Sequence, residues 1–425
     1  MAKIHPCPWN DLPHDLLGEI ANRLPCLVDR VYMSSVCHNW WVAIPHSQDL
    51  HQLPWLLLPN PSTTPLPLPP VSGSTRTEAF YCILDTGSTH NLRIGYDIGG
   101  ARFFGSYDGG WLFLALGQTN HHMLLNLHTN HRFLLPDSIS VGFDGQDVPS
   151  PMSMVITSAT LSSSPTPNTQ CFGAAIVDLN FFPHMIPQTQ LAFWRMDGAS
   201  HHRPVAMGFM GNLLDPWFRF EDVIHHEGAF HFLTDTEHVI RYNIVDLQEG
   251  VRFKVGVHRY YFRRRSAHNS NVMVTSRYLV ESRGELLMVL RLVKLCARQV
   301  VSLQAGAFQV YRVMRHTNEV GLVELGWTEL PRLDGRMLFV ARGCSRSYEV
   351  DDFPGIGLQD GVYFLDDANS DCVAVMLEHS ALRRYTCNDN GRYRWVDGMP
   401  PSQDLRRWFP DKEQSNYSSP TWFLP

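Results

Sequence analysis

The segment Gly343–Ile356, GCSRSYEVDDFPGI, sets a cysteine, two serines, an arginine and three acids side by side. Such a mixture suits a thiol or hydroxyl nucleophile with charged neighbours. The spacing argues otherwise. Gly343, Ser345 and Ser347 make a Gly-x-Ser-x-Ser run, not the Gly-x-Ser-x-Gly elbow, and no strand-then-helix pattern surrounds it. No base for Cys344 can be assigned. As structure, Leu338, Phe339 and Val340 form a buried strand that Gly343 breaks. Ser345 and Ser347 satisfy turn amides, and Pro354-Gly355 turns the chain into a strand over Val362–Leu365. The segment is expected to be a turn-rich corner between strands.

Two histidine groups have spacings a zinc ion would accept: His121, His122, His128 and His131, then His225, His226 and His231. Neighbouring residues of a strand point to opposite faces, so adjacent histidines cannot grip one ion, and no cysteine or acid recurs at a fixed offset. No metal and no cofactor are expected. A third candidate lies within Arg252–His268, RFKVGVHRYYFRRRSAH. Its Arg259, Tyr260, Tyr261, Arg263, Arg264 and Arg265 could stack on and neutralise a nucleic acid or an acidic protein. The chain's net charge of −6 gives no general attraction to nucleic acid or anionic membranes.

Charged residues make up 18% of the 425, below the roughly one quarter of ordinary soluble domains, so material for a core is ample. Nine cysteines, an odd number without a CxxC pair, argue against a disulfide framework and for a reducing compartment, cytosol or nucleus. No apolar run reaches the length of a membrane span. The Asn416-Tyr417-Ser418 sequon is then expected to stay unglycosylated.

Three zones position these residues. In 9–53, Leu16, Leu17, Ile20, Ala21 and Leu24 recur on one helical face closed by Pro25. Asp29 is placed to cap a second helix over 30–35, and a third is expected over 36–44. Zone 54–78 holds seven prolines between Pro54 and Pro70, which suits an extended linker. Zone 79–425 carries many short strand patterns, several led by glycine: GGWLFLAL from Gly109, GAFHFLTD from Gly228, GELLMVLRLV from Gly284, GRMLFVARG from Gly335 and GVYFLDD from Gly361. Short strands with few helical patterns over so long a stretch predict a mainly β fold, a β-propeller of six or seven irregular blades. Ser158–Gln170 is expected to be a loop insertion.

Two resemblances follow. Trp9–Ile44 resembles an F-box, the three-helix unit that ties a substrate receptor to the Skp adaptor of a cullin-RING ubiquitin ligase. The matching residues are Leu12, Pro13, Leu16, Leu17, Ile20, Leu24, Pro25, Val31, Val36, Cys37 and Trp40; His38, Asn39 and Trp41 depart from the basic residues common there. So small an amphipathic unit cannot bury all its leucines alone, which leaves an apolar strip for a partner. Zone 79–425 resembles the kelch-related β-propeller that follows the F-box in a large set of plant proteins. The resemblance rests on GSYDGGWLFL, VIHHEGAFHFLTD, YLVESRGELLMVLR, FQVYRV, the block from Trp327 to Asp367 and the closing SSPTWFLP.

The resemblance implies a non-catalytic substrate receptor of a Skp-cullin-F-box ubiquitin ligase, holding the adaptor with residues 9–53 and a target protein on the propeller. Propeller loops, with their aromatic and arginine residues, would be the target site. The alternatives are a scaffold acting outside ubiquitination and a propeller that binds nucleic acid through residues 252–265. The closing SSPTWFLP is expected to complete the ring, because an open ring leaves strand edges unpaired.

Overall fold

Leu12-Pro13 and the apolar spacing after it start a helix at the expected place. In the computed structural model of the chain, α1 spans His14–Asn22, α2 Leu27–Ser34 and α3 His38–Ala43. The described residues are 9, 12–24, 26–44, 52–59, 76–81, 89–94, 98–142, 151–166, 170–179, 188–196, 203–209, 219–246, 253–260, 272–294, 306–317, 323–353, 357–367, 383–394, 405–407 and 414–425. Helix α2 begins three residues before the expected start. Asp29 therefore does not cap it; it sits in the first turn, where a carboxylate favours the positive end of the helix dipole. Helix α3 is shorter than expected, with Cys37 as its N-cap and Ile44 past its end. The three helices share a small core of Leu17, Ala21, Met33 and Ile44, with Leu12, Leu24, Trp40 and Ala43 packed around it. Buried Arg30 donates from Nε to the carbonyl oxygens of Ala21 and Leu24, tying α2 to the end of α1.

The remainder is mainly β, arranged as a propeller. Its first sheet holds β1 (Trp55–Leu57), β2 (Arg76–Tyr81) and β3 (Thr89–Ile94), and the second holds β4 (Arg102–Tyr107), β5 (Trp111–Ala115), β6 (His122–Asn126) and β7 (Arg132–Leu134). In the third, β8 (Ser138–Gly142), β9 (Met152–Leu161), β10 (Cys171–Leu179), β11 (Gln188–Met196) and β12 (Ala206–Phe209) close on themselves, because β12 pairs in parallel with β8. The fourth is a meander of β13 (Phe220–His226), β14 (Ala229–Thr234), β15 (Val239–Asp246) and β16 (Phe253–Tyr260); the fifth repeats it with β17 (Val272–Ser282), β18 (Glu285–Lys294), β19 (Ala307–Thr317) and β20 (Val323–Glu329). The sixth contains β21 (Arg336–Val340), β22 (Arg346–Glu349), β23 (Gly361–Phe364), β24 (Gly391–Tyr393) and β25 (Leu405–Arg407). Strand β26 (Thr421–Phe423), last in the chain, returns to pair with β1 in the first sheet, with Trp55 opposite Phe423 and Leu56 opposite Trp422.

Apolar cores join each sheet to the next. Leu57, Trp55 and Phe423 pack on Phe103, Leu112 and Leu125, and Phe113 with Leu124 packs on Ile156, Ala175 and Trp194. Phe172 and Phe193 meet Phe230, Phe232 and Tyr242; Ile224 and Leu233 meet Leu279 and Met288; Tyr278 and Val280 meet Leu338 and Val362. Met337, Phe339 and Tyr363 then pack on Leu56, Leu58 and Trp422 of the first sheet, so the cores run in a circle. Buried aromatics give each interface a large apolar area and geometric specificity.

Two boundaries differ from expectation. The linker over 54–78 does not begin at Pro54: Trp55–Leu57 is a fully buried strand of the first sheet. Three consecutive apolar residues outweigh the flanking prolines, because β1 lies between β2 and β26 and both faces are covered. Nor is Ser158–Gln170 one loop, since β9 runs through Leu161 and β10 starts at Cys171.

Candidate functional site

The second strand in several sheets is led by glycine because the preceding hairpin needs positive φ. Asp108 leads into Gly109 and Gly110 (φ 80° and 82°), while Glu227-Gly228, Arg283-Gly284 and Asp334-Gly335 have positive φ at both residues. Glu227-Gly228 and Arg283-Gly284 are two-residue hairpin loops, whose hand matches strand twist and whose glycine carries the second position without strain; Asp108–Gly110 is a three-residue hairpin loop, and Asp334-Gly335 is a turn that leads into β21. The three hairpins stand at the ends of β4, β13 and β17. Two of them deliver Asp108 and Arg283 to one end of the propeller axis.

A cavity of about 450 Å³ opens there, lined from five sheets. Tyr107 and Asp108 come from the end of β4, Thr160 and Leu161 from β9, Ile224 and His225 from β13, Glu281, Ser282 and Arg283 from β17, and Ser345 to Glu349 with Asp352 from the sixth sheet. Arg346 grips Asp108 with two nitrogens, Nε at 2.9 Å and Nη2 at 2.8 Å, and lies 5.6 Å from the ring centre of Tyr107. Arg283 holds Glu349 in the same forked way, Nε to Oε1 at 2.8 Å, and its Nη2 also donates to the Asp334 carbonyl. Ser282 and Ser347 share a hydroxyl hydrogen bond of 2.8 Å across two sheets. Both guanidinium groups are thus spoken for, and forked pairs fix their direction as well as their charge.

Electrostatics set the protonation states. Burial pushes the Tyr107 phenol up to about 12 and moves the Tyr348 phenol upward as well, so both are neutral hydroxyls at neutral pH. Burial lowers the pKa of His225, favouring neutral imidazole. Cys344 is 1% exposed and burial pushes its thiol up to about 11. A buried, protonated thiol is a poor nucleophile. Ser345 accepts from the Ala341 amide and donates back to the Ala341 carbonyl, a turn role. Ser347 differs from expectation: it bonds across to Ser282 and not to a turn amide.

A family model for the KIB1-4 beta-propeller matches residues 80–386. The chain belongs to the KIB1-4 beta-propeller family. No curated protein matches it. This KIB1-4 beta-propeller is similar to a solved structure, the major Malassezia sympodialis allergen Mala s 1, at 9% identity over 74% of this chain and 92% of that one, with a TM-score of 0.26.

In this KIB1-4 beta-propeller chain the residues expected to hold an adaptor divide in two. Pro13, Leu16, Ile20 and Val36 are exposed, with Leu16 at 51% and Val36 at 58%. Leu17, at 0%, is the centre of the helical core; Leu12, Leu24 and Trp40 pack against it, and Cys37 is half-buried. A face apolar on both sides of the helix reads as one stripe in sequence, yet its inner half is needed to hold the helices together. Trp9, Tyr32, Trp41 and Val42 add exposed apolar surface that the spacing did not single out. Pro25 lies outside the described residues, and of Val31 only its place in α2 is described.

Of the basic patch, Arg259 and Tyr260 end strand β16, opposite Ile240 and Val239, while Tyr261, Arg263, Arg264 and Arg265 lie outside the described residues. The histidines have separate partners. His122 Nδ1 lies 2.7 Å from Asp137 and its Nε2 accepts from the Ile156 amide, His131 packs edge-on to Phe133, and His226 lies 3.4 Å from Glu281. Among the described residues no three histidine, cysteine or acidic side chains gather as metal ligands would.

The cavity went unseen in the sequence because its charges are spread over more than 240 positions. A signal was present: a charged residue directly before glycine, at Asp108 and again at Arg283. Only the closure of the ring brings the repeats together.

Proposed function

We propose that the chain is a substrate receptor of a Skp-cullin-F-box ubiquitin ligase, built from an N-terminal F-box and a six-bladed propeller. The observation that carries this reading is the helical unit, which spends Leu17 on its own core and leaves Leu16, Ile20 and Val36 in solvent. Exposed apolar side chains on so small a unit mark a protein contact, and each one buried in a partner contributes about 1.5–3 kcal/mol before the cost of association. The propeller supplies a rigid second surface with an axial cavity for a target. On this reading the chain makes and breaks no bond itself; transfer of ubiquitin relies on the proximity that the assembly provides. The five described cysteines are thiols that form no disulfide with one another, in keeping with a cytosolic or nuclear setting.

The test is co-purification of the full chain with a Skp adaptor. Leu16→Asp alone should cut adaptor recovery at least about tenfold, since it puts an unpaired charge into the contact without touching the helical core. Leu17→Asp is the wrong probe, because it would unfold the helices whatever they bind. Wild-type recovery by Leu16→Asp and by Ile20→Asp would overturn the assignment.

A further inference from the structure

The axial cavity has two carboxylates to spare. Asp108 and Glu349 are neutralised by Arg346 and Arg283. Glu281 and Asp352 line the same cavity; no lysine or arginine among the described residues pairs with either, and Glu281 lies 3.4 Å from the His226 ring. Four carboxylates against two guanidinium groups leave the cavity with a formal charge of −2. A second observation is the Thr160 hydroxyl. Thr160 is 2% exposed, lines the cavity and has no side-chain hydrogen bond to any described residue. A polar group in so buried a residue normally has a partner, which leaves this one for a ligand or water in the cavity.

The charge selects the ligand. An anion would meet unbalanced acids with both arginines already engaged, and the same field turns away a nucleic-acid backbone at this end of the axis. A cation would find two carboxylates, an accepting hydroxyl and a wall of Leu161, Ile224, Ser282 and Ser347 that suits an aliphatic stem with a charged tip. The volume lies within the range of small-ligand pockets and admits a long side chain with part of its backbone. Arg346 stacked over Tyr107 shows that the cavity already accommodates one guanidinium beside an aromatic ring.

We propose that this cavity binds a lysine or arginine side chain of a polypeptide, with Glu281 and Asp352 as the countercharges and Thr160 as a hydrogen-bond acceptor. The target of the receptor would then present an exposed basic segment. Calling that polypeptide a target rests on the receptor reading; the binding itself does not.

Fluorescence polarisation on the full chain tests it, with fluorescein-labelled decapeptides rich in lysine and arginine, a glutamate-rich decapeptide and spermidine as probes. The basic peptides should bind, the acidic one should not, and binding should weaken with salt. Glu281→Gln and Asp352→Asn should each weaken it about fivefold, as expected for one partly exposed ion pair. Both side chains reach solvent, so these isosteric amides leave the fold intact, and Glu19→Gln on α1 should change nothing. Leu16→Asp should bind the peptides as wild type does, which separates failure here from failure of the adaptor contact. Equal affinity for acidic and basic peptides, wild-type affinity in the Glu281→Gln/Asp352→Asn double variant, or binding of spermidine without any basic peptide would overturn the proposal.

Discussion

The carboxylate of Asp222 accepts the amide hydrogen of Gly343, Oδ1 to N at 2.6 Å, and so ties the fourth sheet to the sixth. The same oxygen accepts from its neighbour Val223, and Oδ2 accepts from the Leu279 amide of the fifth sheet at 2.7 Å. One buried side chain thus joins three sheets near the axis. Gly343 can approach because it has φ 73° and no side chain; a Cβ there would stand 2.5 Å from the Ala159 carbonyl oxygen and 2.7 Å from Ser158 Oγ.

Gly343→Ala should therefore destabilise the propeller by about 2–4 kcal/mol, from the left-handed backbone and the backbone clash together. Urea unfolding of the purified variant measures this. Stability within 0.5 kcal/mol of wild type, roughly the level of a neutral surface change, would contradict the packing described.

Gly343 also shows what could be learned from sequence. Its break between two strands and the buried run Leu338–Val340 come from local chemistry, because strand pattern and turn residues act over a few positions. That Asp222 would be its partner was not legible. The pairing spans 121 positions and depends on how the sheets close into a ring. The same holds for Glu281 and Asp352, ordinary surface acids in sequence that become neighbours of one cavity. Leu16 and Leu17 show a finer limit: helical spacing marks both as apolar, but only packing decides which side holds the unit together.

Asp222 should give the fold a pH dependence. Burial raises its pKa to about 7, even against three amide donors, whereas the unfolded carboxyl titrates near 3.9. A folded pKa above the unfolded one means that the folded state holds the proton more tightly. Its contribution is then fully present below about pH 4 and is lost as the pH rises through 7, by an amount of order 4 kcal/mol. In paired urea titrations from pH 4 to pH 8, the stability of wild type relative to Asp222→Asn should fall steadily. A difference that stays flat over that window would show that Asp222 is ionised throughout.

Arg291 is fully buried between the fifth and sixth sheets. Its Nη2 donates to Asp389 at 2.5 Å and its Nη1 to the Leu365 carbonyl at 2.8 Å, with Asp367 3.6 Å away and itself bonded to the Tyr278 hydroxyl. Removing one member of a buried charge set costs more than the set contributes, because the remaining charges lose their counterion. Arg291→Met should cost about 3–5 kcal/mol despite its similar length. Arg291→Met with Asp389→Leu should recover part of that loss, and a double variant no more stable than the single one would argue against the coupling.

The closing strand offers the last test. Trp422 is buried against Phe339, its indole Nε1 donates to the Val340 carbonyl at 3.2 Å, and Leu56 stands opposite it in the ladder. Phe423 packs on Trp55 from the other side, and Leu424 accepts from the Gly110 amide. The last residues of the chain therefore touch the first, second and sixth sheets together. Trp422→Ala should cost about 3–5 kcal/mol as a large buried cavity. Deleting Tyr417–Pro425 should do more, since it strips β1 of its partner and leaves a strand edge open. Limited proteolysis distinguishes the two kinds of damage. With Trp422→Ala the fold loosens but the ring remains paired, so the cleavage pattern should stay that of wild type at a faster rate. With the deletion, new cuts should appear throughout the β domain and the protein should aggregate. If the shortened chain instead melts at the wild-type temperature, the pairing of β26 with β1 does not hold the ring.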